Sequence, residues 1–406
     1  MAWLKNIGPG PLVAAAFIGP GTVTVCTLAG VNFGFVLLWT IVLSIIATIV
    51  LQEMAARLGI VTQKGLSEVI REEIKNKYIK AVAILLILFA IVIGNAAYEA
   101  GNITGSVLGF ESLIGKLNIN IGSRSINGVS IIIGIIAFAL LYLGNYKVLE
   151  RVLIFLVVIM SIAFVITAVL TEPDFSEILK HTLTPTFPKG SLLTIVGLIG
   201  TTVVPYNLFL HASLVKEKWK SKNDLKYARK DLIIAVVLGG VVSMCIIISA
   251  AAIQTQDIKN ATDLAKGLAP FFGSYAKVFL AIGLFAAGIT SAITAPLAAA
   301  YVANGCLGWN ANLRAKKFRM VWMFILLLGI ILSSISIKPI EIIKFAQVAN
   351  GILLPVIAGF LLWIMNRSLV LETYKNSLTQ NILGFIILTI TIFLGAKSLL
   401  TVFNVI

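Results

Sequence analysis

The sequence predicts an all-α membrane protein, and three observations support this fold class. The chain of 406 residues is 59% hydrophobic and only 12% charged, whereas soluble domains carry about 25% charged residues. Apolar stretches long enough to cross a bilayer recur along the whole chain. Lys and Arg residues concentrate in alternate connections between these stretches, which is the distribution that sets the orientation of membrane helices.

Eleven stretches approach the roughly 20 apolar residues that a helix needs to cross the hydrocarbon core. Their approximate limits are 11–31, 34–57, 81–108, 128–144, 148–170, 191–215, 232–254, 271–303, 319–337, 341–366 and 380–402. We expect all of them to form one transmembrane domain, residues 1–406. Near the end of the second span, Glu53 and Arg57 are four residues apart and should form a structural ion pair.

The basic residues predict a cytoplasmic N-terminus and an external C-terminus. This orientation places 22 of the 32 Lys and Arg residues on the cytoplasmic side, seven of them in the connection 216–230. The net charge of +15 then reflects this bias and an attraction to anionic lipids. We therefore expect the prokaryotic inner (plasma) membrane as the location and the lipid bilayer as a partner, with no nucleic acid. The sequence leaves the oligomeric state open and is compatible with a monomer.

Two of the predicted helices are interrupted near their middle. The first span contains Gly19-Pro20-Gly21, and the sixth contains Pro205 within a run of polar residues. Proline removes a backbone hydrogen bond and glycine lets the chain unwind. The breaks fall in the first helix of each five-helix half, as in inverted-repeat secondary transporters. We predict repeats at about 9–171 and 190–366 and an extra helix at about 380–403; a pair of ordinary proline kinks is the alternative.

Several sequence blocks at and around these breaks resemble the NRAMP family of metal transporters. The blocks are Gly8-Pro9-Gly10, Gln52 with Ala55-Ala56-Arg57-Leu58-Gly59, Pro205-Tyr206-Asn207-Leu208-Phe209-Leu210-His211, and Gln347-Val348. The resemblance covers nearly the whole chain. It implies the LeuT fold, with helices 1 and 6 unwound, and transport of a small-ion substrate.

The chain departs from the family where the family binds its metal. The family's Asp-Pro-Gly-Asn motif reads Gly19-Pro20-Gly21-Thr22 here, and its Met-Pro-His motif reads Val204-Pro205-Tyr206. In the family the Asp and Asn bind the metal, and the Met sulfur selects soft metals. Matching Val92-Ile93-Gly94 to the family's third helix puts Leu88 and Ile91 where two acids of its proton route stand. We therefore expect no metal-ligand set and no cofactor.

The charge inventory at the breaks favours an anion as cargo. Half-helices that begin near Thr22 and Asn207 would point free N–H groups and positive dipole ends into the cavity. Our leading prediction is therefore a transporter of a small anion, for example bicarbonate, coupled to Na⁺ or H⁺. The predicted substrate-binding residues are Gly19, Gly21, Thr22, Thr24, Thr201, Thr202, Val204, Tyr206 and Asn207.

A second set of polar residues is assigned to coupling or to support of the site. Asn95, Glu99 and Asn102 share one helical face, and Glu99 is a structural acid, a coupling site for H⁺ or Na⁺, or a metal ligand. Thr290, Ser291 and Thr294 form a sodium site or pack helices through small hydroxyl residues. The other members of this set are His211, Gln347 and Asn350.

The sequence leaves two other cargo classes open. Transport of a divalent cation, Mg²⁺ or Mn²⁺, would mean that the selectivity differs from that of the family, and the Glu99 side chain would have to reach the cargo site. A neutral solute or amino acid is the third possible cargo. An enzyme is not expected, because the chain has only two histidines and lacks a nucleophile elbow and a phosphate loop.

Overall fold

Helices dominate the computed structural model, which describes residues 18–121, 124–144, 147–253, 258–309, 314–335 and 338–402. Within these residues, nine helices are long and apolar enough to cross a membrane, and the apolar helix Gly128–Leu143 is shorter. The predicted all-α membrane class is confirmed. The part of the first predicted span before Ile18 lies outside the described residues.

The described elements follow the predicted order. The helices are α1 Pro20–Phe33, α2 Leu38–Thr62, α3 Leu66–Glu73, α4 Lys77–Ile114, α5 Gly128–Leu143, α6 Lys147–Leu170, α7 Phe175–Leu183, α8 Leu192–Thr202, α9 Pro205–Lys218, α10 Leu225–Ala251, α11 Ala261–Ala265, α12 Ala269–Phe272, α13 Ala276–Leu307, α14 Lys316–Ser334, α15 Pro339–Met365, α16 Ser368–Leu371 and α17 Leu378–Val402. An antiparallel hairpin, β1 Asn118–Ile121 and β2 Arg124–Asn127, pairs Asn118 with Asn127 between α4 and α5.

Local signals account for the starts of two spans that differ from the prediction. The third span was expected at 81–108, but α4 begins earlier because the Asn76 side chain accepts hydrogen bonds from the backbone N–H groups of Tyr78 and Ile79. The eighth span was expected to start at residue 271. It starts instead at Ala276, because Gly273 adopts a φ of 53° and interrupts the helix.

Close backbone contacts through glycine hold the bundle together. α15 packs against both α1 and α8: a Cβ at Gly21 on α1 would collide with the side-chain amide of Gln347. A Cβ at Gly200 on α8 would collide with the carbonyl oxygen of Gln347 and lie 2.7 Å from the amide nitrogen of Gly351. Small residues allow this approach in membranes, where packing and not hydrophobicity drives association. α15 therefore fixes the relative position of α1 and α8.

Ion pairs bring three connections together at what we name the predicted cytoplasmic end, formed by residues 63–76, 219–224 and 366–377. Arg367 pairs with Glu73 at 2.9 Å. The predicted pair of Arg57 with Glu53 is confirmed at 3.0 Å, and Arg57 also donates to the carbonyl oxygen of Tyr374 at 2.6 Å. That this end faces the cytoplasm stays a prediction.

Gly200→Ala should destabilise the fold, because the added methyl group meets backbone atoms of α15 that cannot move away as a side chain can. We expect the free energy of unfolding to fall by about 1–3 kcal/mol, the usual effect of overpacking. Gly395→Ala on α17 is the matched control, since a Cβ there meets its nearest atoms at 3.7 Å. Thermal melting of the two variants in detergent measures the difference. Equal melting temperatures would contradict the packing that places α8 against α15.

Candidate functional site

The predicted break in the sixth span is present, and at the position of the first predicted break a helix begins; the residues before Ile18 lie outside the described part of the chain. α1 begins at Pro20, with Gly19 as an extended N-cap residue (φ −100°, ψ −176°) and no side-chain cap. α8 ends at Thr202, and α9 begins at Pro205 without a side-chain cap. Proline suits the first position of a helix, where its missing N–H group costs nothing. Two helix N-termini therefore start inside the bundle.

α1 and α8 meet through their threonines. The hydroxyl oxygens of Thr22 on α1 and Thr201 on α8 are 2.8 Å apart and hydrogen-bonded, although 179 residues separate them in the sequence. Gln347 lies against both helices from α15. Asn350, one turn further, lies beside Gly94 on α4, since its Oδ1 is 3.6 Å from a Cβ built at Gly94. The structure thus brings together residues that the sequence analysis assigned to the cavity.

We name as the break site six buried polar residues around these interruptions. They are Thr22, Thr24, Thr201, Asn207, Gln347 and Asn350, each no more than 1% exposed. Within the described part of the chain, four of them have atoms without a hydrogen-bond partner: the Oγ1 of Thr24, both amide atoms of Asn207, the Oε1 of Gln347 and the Nδ2 of Asn350. A buried polar atom left unpaired costs about 1–3 kcal/mol. Such a cluster is expected where water or a bound ion completes the hydrogen bonding.

The buried carboxylate of Glu99 lies on a different face of α4 from the break site. Its side chain packs against Gly329 of α14, and Asn95, one turn earlier, donates a 2.8 Å hydrogen bond to the carbonyl oxygen of Ala295 on α13. The Nδ2 of Asn102 lies 3.5 Å from one carboxylate oxygen of Glu99, and the other oxygen has no partner among the described residues. The predicted set of Asn95, Glu99 and Asn102 therefore faces α13 and α14, while the break site itself is neutral.

The contacts of α4 show which of its residues stand level with the breaks. Tyr98 packs edge-on against Tyr206 at 5.4 Å between ring centroids, and Gly105 packs against Pro20. Leu88 and Ile91 lie about two or more turns earlier on the helix. Glu99 is thus the acid of α4 that stands beside the breaks, although it points away from them. Among the described residues, no group of three or more His, Cys, Asp or Glu side chains is placed to hold a metal ion.

The remaining predicted residues have mainly structural contacts. Thr290 and Thr294 donate to carbonyl oxygens of their own helix at 2.8 Å, which favours packing over a sodium site, and Ser291 is buried beside them. Thr202 likewise donates to the carbonyl oxygen of Leu198. His211 is buried on α9, one turn after Asn207.

Val204 supplies a backbone cap and no polar side chain. Its carbonyl oxygen accepts a 3.0 Å hydrogen bond from the N–H group of Asn207, and its side chain is 1% exposed. The position therefore adds an apolar wall to the second break, where a sulfur ligand would stand in the family that the sequence resembles.

Gln52 is a candidate site residue that the sequence analysis did not assign to the cavity. Its side chain is fully buried, and neither amide atom has a partner among the described residues. One turn earlier on α2, the Oγ1 of Thr48 lies 3.4 Å from the carbonyl oxygen of Thr202 at the end of α8. A glutamine in the middle of an apolar span is costly in a bilayer and often functional, and that signal could have identified it.

Comparison with known proteins agrees with this architecture. Residues 10–401 match the family model described as natural resistance-associated macrophage protein-like, or Nramp. A relative from Caldanaerobacter subterraneus, named divalent metal cation transporter MntH, is 26% identical over 98% of this chain and 93% of its own. A relative of the same name from Verminephrobacter eiseniae is 26% identical over 92% of this chain and 84% of its own.

Solved structures confirm the predicted LeuT-type fold. The crystal structure of a manganese transporter mutant from Eremococcus coleocola matches with a TM-score of 0.75 at 20% identity, over 98% of this chain and 86% of that one. The transporter Mhp1, of the nucleobase-cation-symport-1 family and in a closed conformation, matches with a TM-score of 0.53 at 14% identity, over 96% of this chain and 91% of that one.

Proposed function

We infer the function of this chain from its family: it belongs to the Nramp family, whose model covers residues 10–401, and it is an integral membrane transporter. We propose that its cargo is a divalent metal cation, Mg²⁺ or Mn²⁺, carried with part of its water shell. Relatives named divalent metal cation transporters, which align over almost the whole chain, support this cargo over the anion that charge alone favoured.

The observation that carries this proposal is the set of buried, unpaired hydroxyl and amide atoms in the break site. Hard cations prefer oxygen ligands, and Mg²⁺ loses water reluctantly and commonly keeps several water molecules. Neutral groups cannot compensate the charge of a fully dehydrated divalent ion in a low-dielectric cavity, because removing an ion from water costs several kcal/mol even after the protein relaxes. Thr24, Asn207 and Gln347 would therefore hold the ion through its retained water.

A small anion such as bicarbonate is the second candidate, because the two helix N-termini of the site favour it. α1 and α9 both begin inside the bundle without a side-chain cap. Each N-terminus carries the equivalent of about half a positive charge, and free N–H groups there bind anions. Gly19 brings no negative charge to offset this field.

Glu99 is the residue that we propose for coupling. It is fully buried and stands beside the breaks on α4, yet it packs against α14 and not into the break site. A buried acid inside a membrane is costly and marks ion or proton pathways. Binding and release of H⁺ or Na⁺ at Glu99 would act on the cargo through the movement of α4.

Uptake into proteoliposomes separates the two cargo classes. We expect saturable uptake of Mg²⁺ or Mn²⁺, and no uptake of radiolabelled bicarbonate above that of protein-free vesicles. Gln347→Ala should lower the cation uptake, because it removes a side chain of the break site. Saturable bicarbonate uptake without cation uptake would overturn the proposal in favour of the second candidate.

Val204→Met should shift the selectivity toward soft metals. The substitution places a thioether beside the break, and sulfur ligands favour soft transition metals over Mg²⁺. We expect Cd²⁺ uptake to rise severalfold relative to Mg²⁺ uptake. Val203→Met is the matched control, since Val203 is equally buried at 1% exposure but precedes the aligned position. A Cd²⁺ gain shared by both variants, or absent from both, would count against a cation at the second break.

Glu99→Gln should uncouple cargo transport from the ion gradient, while the break site still binds its cargo. The variant keeps the shape of the side chain but cannot bind and release a proton. We expect exchange of cargo between the two sides to persist, while accumulation driven by a pH or Na⁺ gradient is lost. Glu53→Gln, on the Arg57 ion pair, serves as a control that should retain gradient-driven uptake. Normal gradient-driven accumulation of cargo by Glu99→Gln would contradict the coupling role and indicate that Glu99 is a structural acid.

A further inference from the structure

A groove on the outer surface of the bundle opens at the predicted cytoplasmic end. It has a volume of about 820 Å³ and is lined by the first turns of α4, the second half of α15 and the middle of α17. That volume is within the range of pockets that hold small organic ligands, about 300–1,000 Å³. The groove is separate from the break site, since none of the six residues of the break site lines it.

The lining changes from apolar to charged along the groove. Ile79, Val82 and Leu86 form one apolar wall and are between 46% and 60% exposed. Pro355 and Phe360 lie on the opposite wall. Gly359 leaves the space between them open, because a Cβ built there meets no atom within 4 Å. The walls therefore offer an exposed apolar surface on helices that are long and apolar enough to cross a membrane.

Cationic and aromatic side chains stand at the mouth. The side chain of Arg367 is 45% exposed and donates through its Nε to Glu73 at 2.9 Å, while its two terminal nitrogens have no hydrogen bond to another described residue. Its guanidinium lies over the ring of Trp363 at 5.3 Å, and tryptophan is typical of the membrane interface. Lys75 also lines the groove and is exposed, and its Nζ donates a 3.0 Å hydrogen bond to the carbonyl oxygen of Glu72. Two cations and one partly buried acid leave the mouth positive.

We propose that this groove binds one anionic phospholipid, with an acyl chain along the apolar walls and the headgroup phosphate at Arg367 and Lys75. The exposed apolar walls suit an acyl chain, and the positive mouth complements the anionic headgroup. Trp363 marks the depth at which headgroup and tail meet. Because α15 also carries Gln347, the lipid binds to the helix that fixes both breaks. The proposal does not depend on which cargo the break site carries.

Native mass spectrometry of detergent-purified protein, titrated with phosphatidylglycerol or phosphatidylcholine, tests the site. We expect one phosphatidylglycerol to bind tightly and phosphatidylcholine to bind weakly. Lys75→Gln should weaken phosphatidylglycerol binding about fivefold, which corresponds to the roughly 1 kcal/mol of one basic residue at an anionic surface. Lys375→Gln is the matched control: it removes an exposed charge at the same end but outside the groove, and should leave binding unchanged.

Gly359→Leu fills the open part of the groove and should abolish binding of both lipids. Wild-type affinity in Gly359→Leu would overturn the proposal, as would equal losses in Lys75→Gln and Lys375→Gln or equal binding of the two lipids by the wild type. If Gly359→Leu fails to fold, the two lysine variants decide the question alone, since both residues are exposed.

Discussion

The close approach of α15 to both α1 and α8 is the contact on which the rest of the structure depends. Gly21 and Gly200 have no side chains, and this absence lets the amide and the backbone of Gln347 lie against α1 and α8. With both helices fixed on one side, the hydroxyl groups of Thr22 and Thr201 come within 2.8 Å of each other. A larger residue at either glycine would separate the helices and the break site would lose its geometry.

This arrangement groups uncharged polar atoms at the break site and leaves carboxylates outside it. The break site contains hydroxyl and amide groups, while the nearest buried carboxylate, Glu99, packs against α14 on another face of α4. A neutral site of this kind is too weak for a dehydrated divalent ion and well suited to one that keeps its water. Because Glu99 lies outside the break site, a proton or Na⁺ bound to it would not compete with the proposed cargo for ligands, and the proposed coupling would act through movement of α4.

Much of the architecture follows from sequence signals whose physics is local. Pro20, Pro205 and the adjacent glycines indicated both breaks, because a proline cannot donate a backbone hydrogen bond wherever it lies. The direction of the Glu99 side chain could not be predicted, since helical spacing groups Asn95, Glu99 and Asn102 on one face without showing which helices that face meets. Gln52 was overlooked for a similar reason: its environment depends on where α2 packs against the break. The charge argument alone favoured an anion, and the family relationship was needed to weigh a hydrated cation against it.

The position of bound Mn²⁺ in crystals, located by its anomalous scattering, tests the central claim most directly. A neutral break site that holds a hydrated cation predicts one anomalous peak near Thr24, Asn207 and Gln347, at a distance from the protein atoms that leaves room for water. A peak coordinated directly by Glu99, with none between the breaks, would contradict this account.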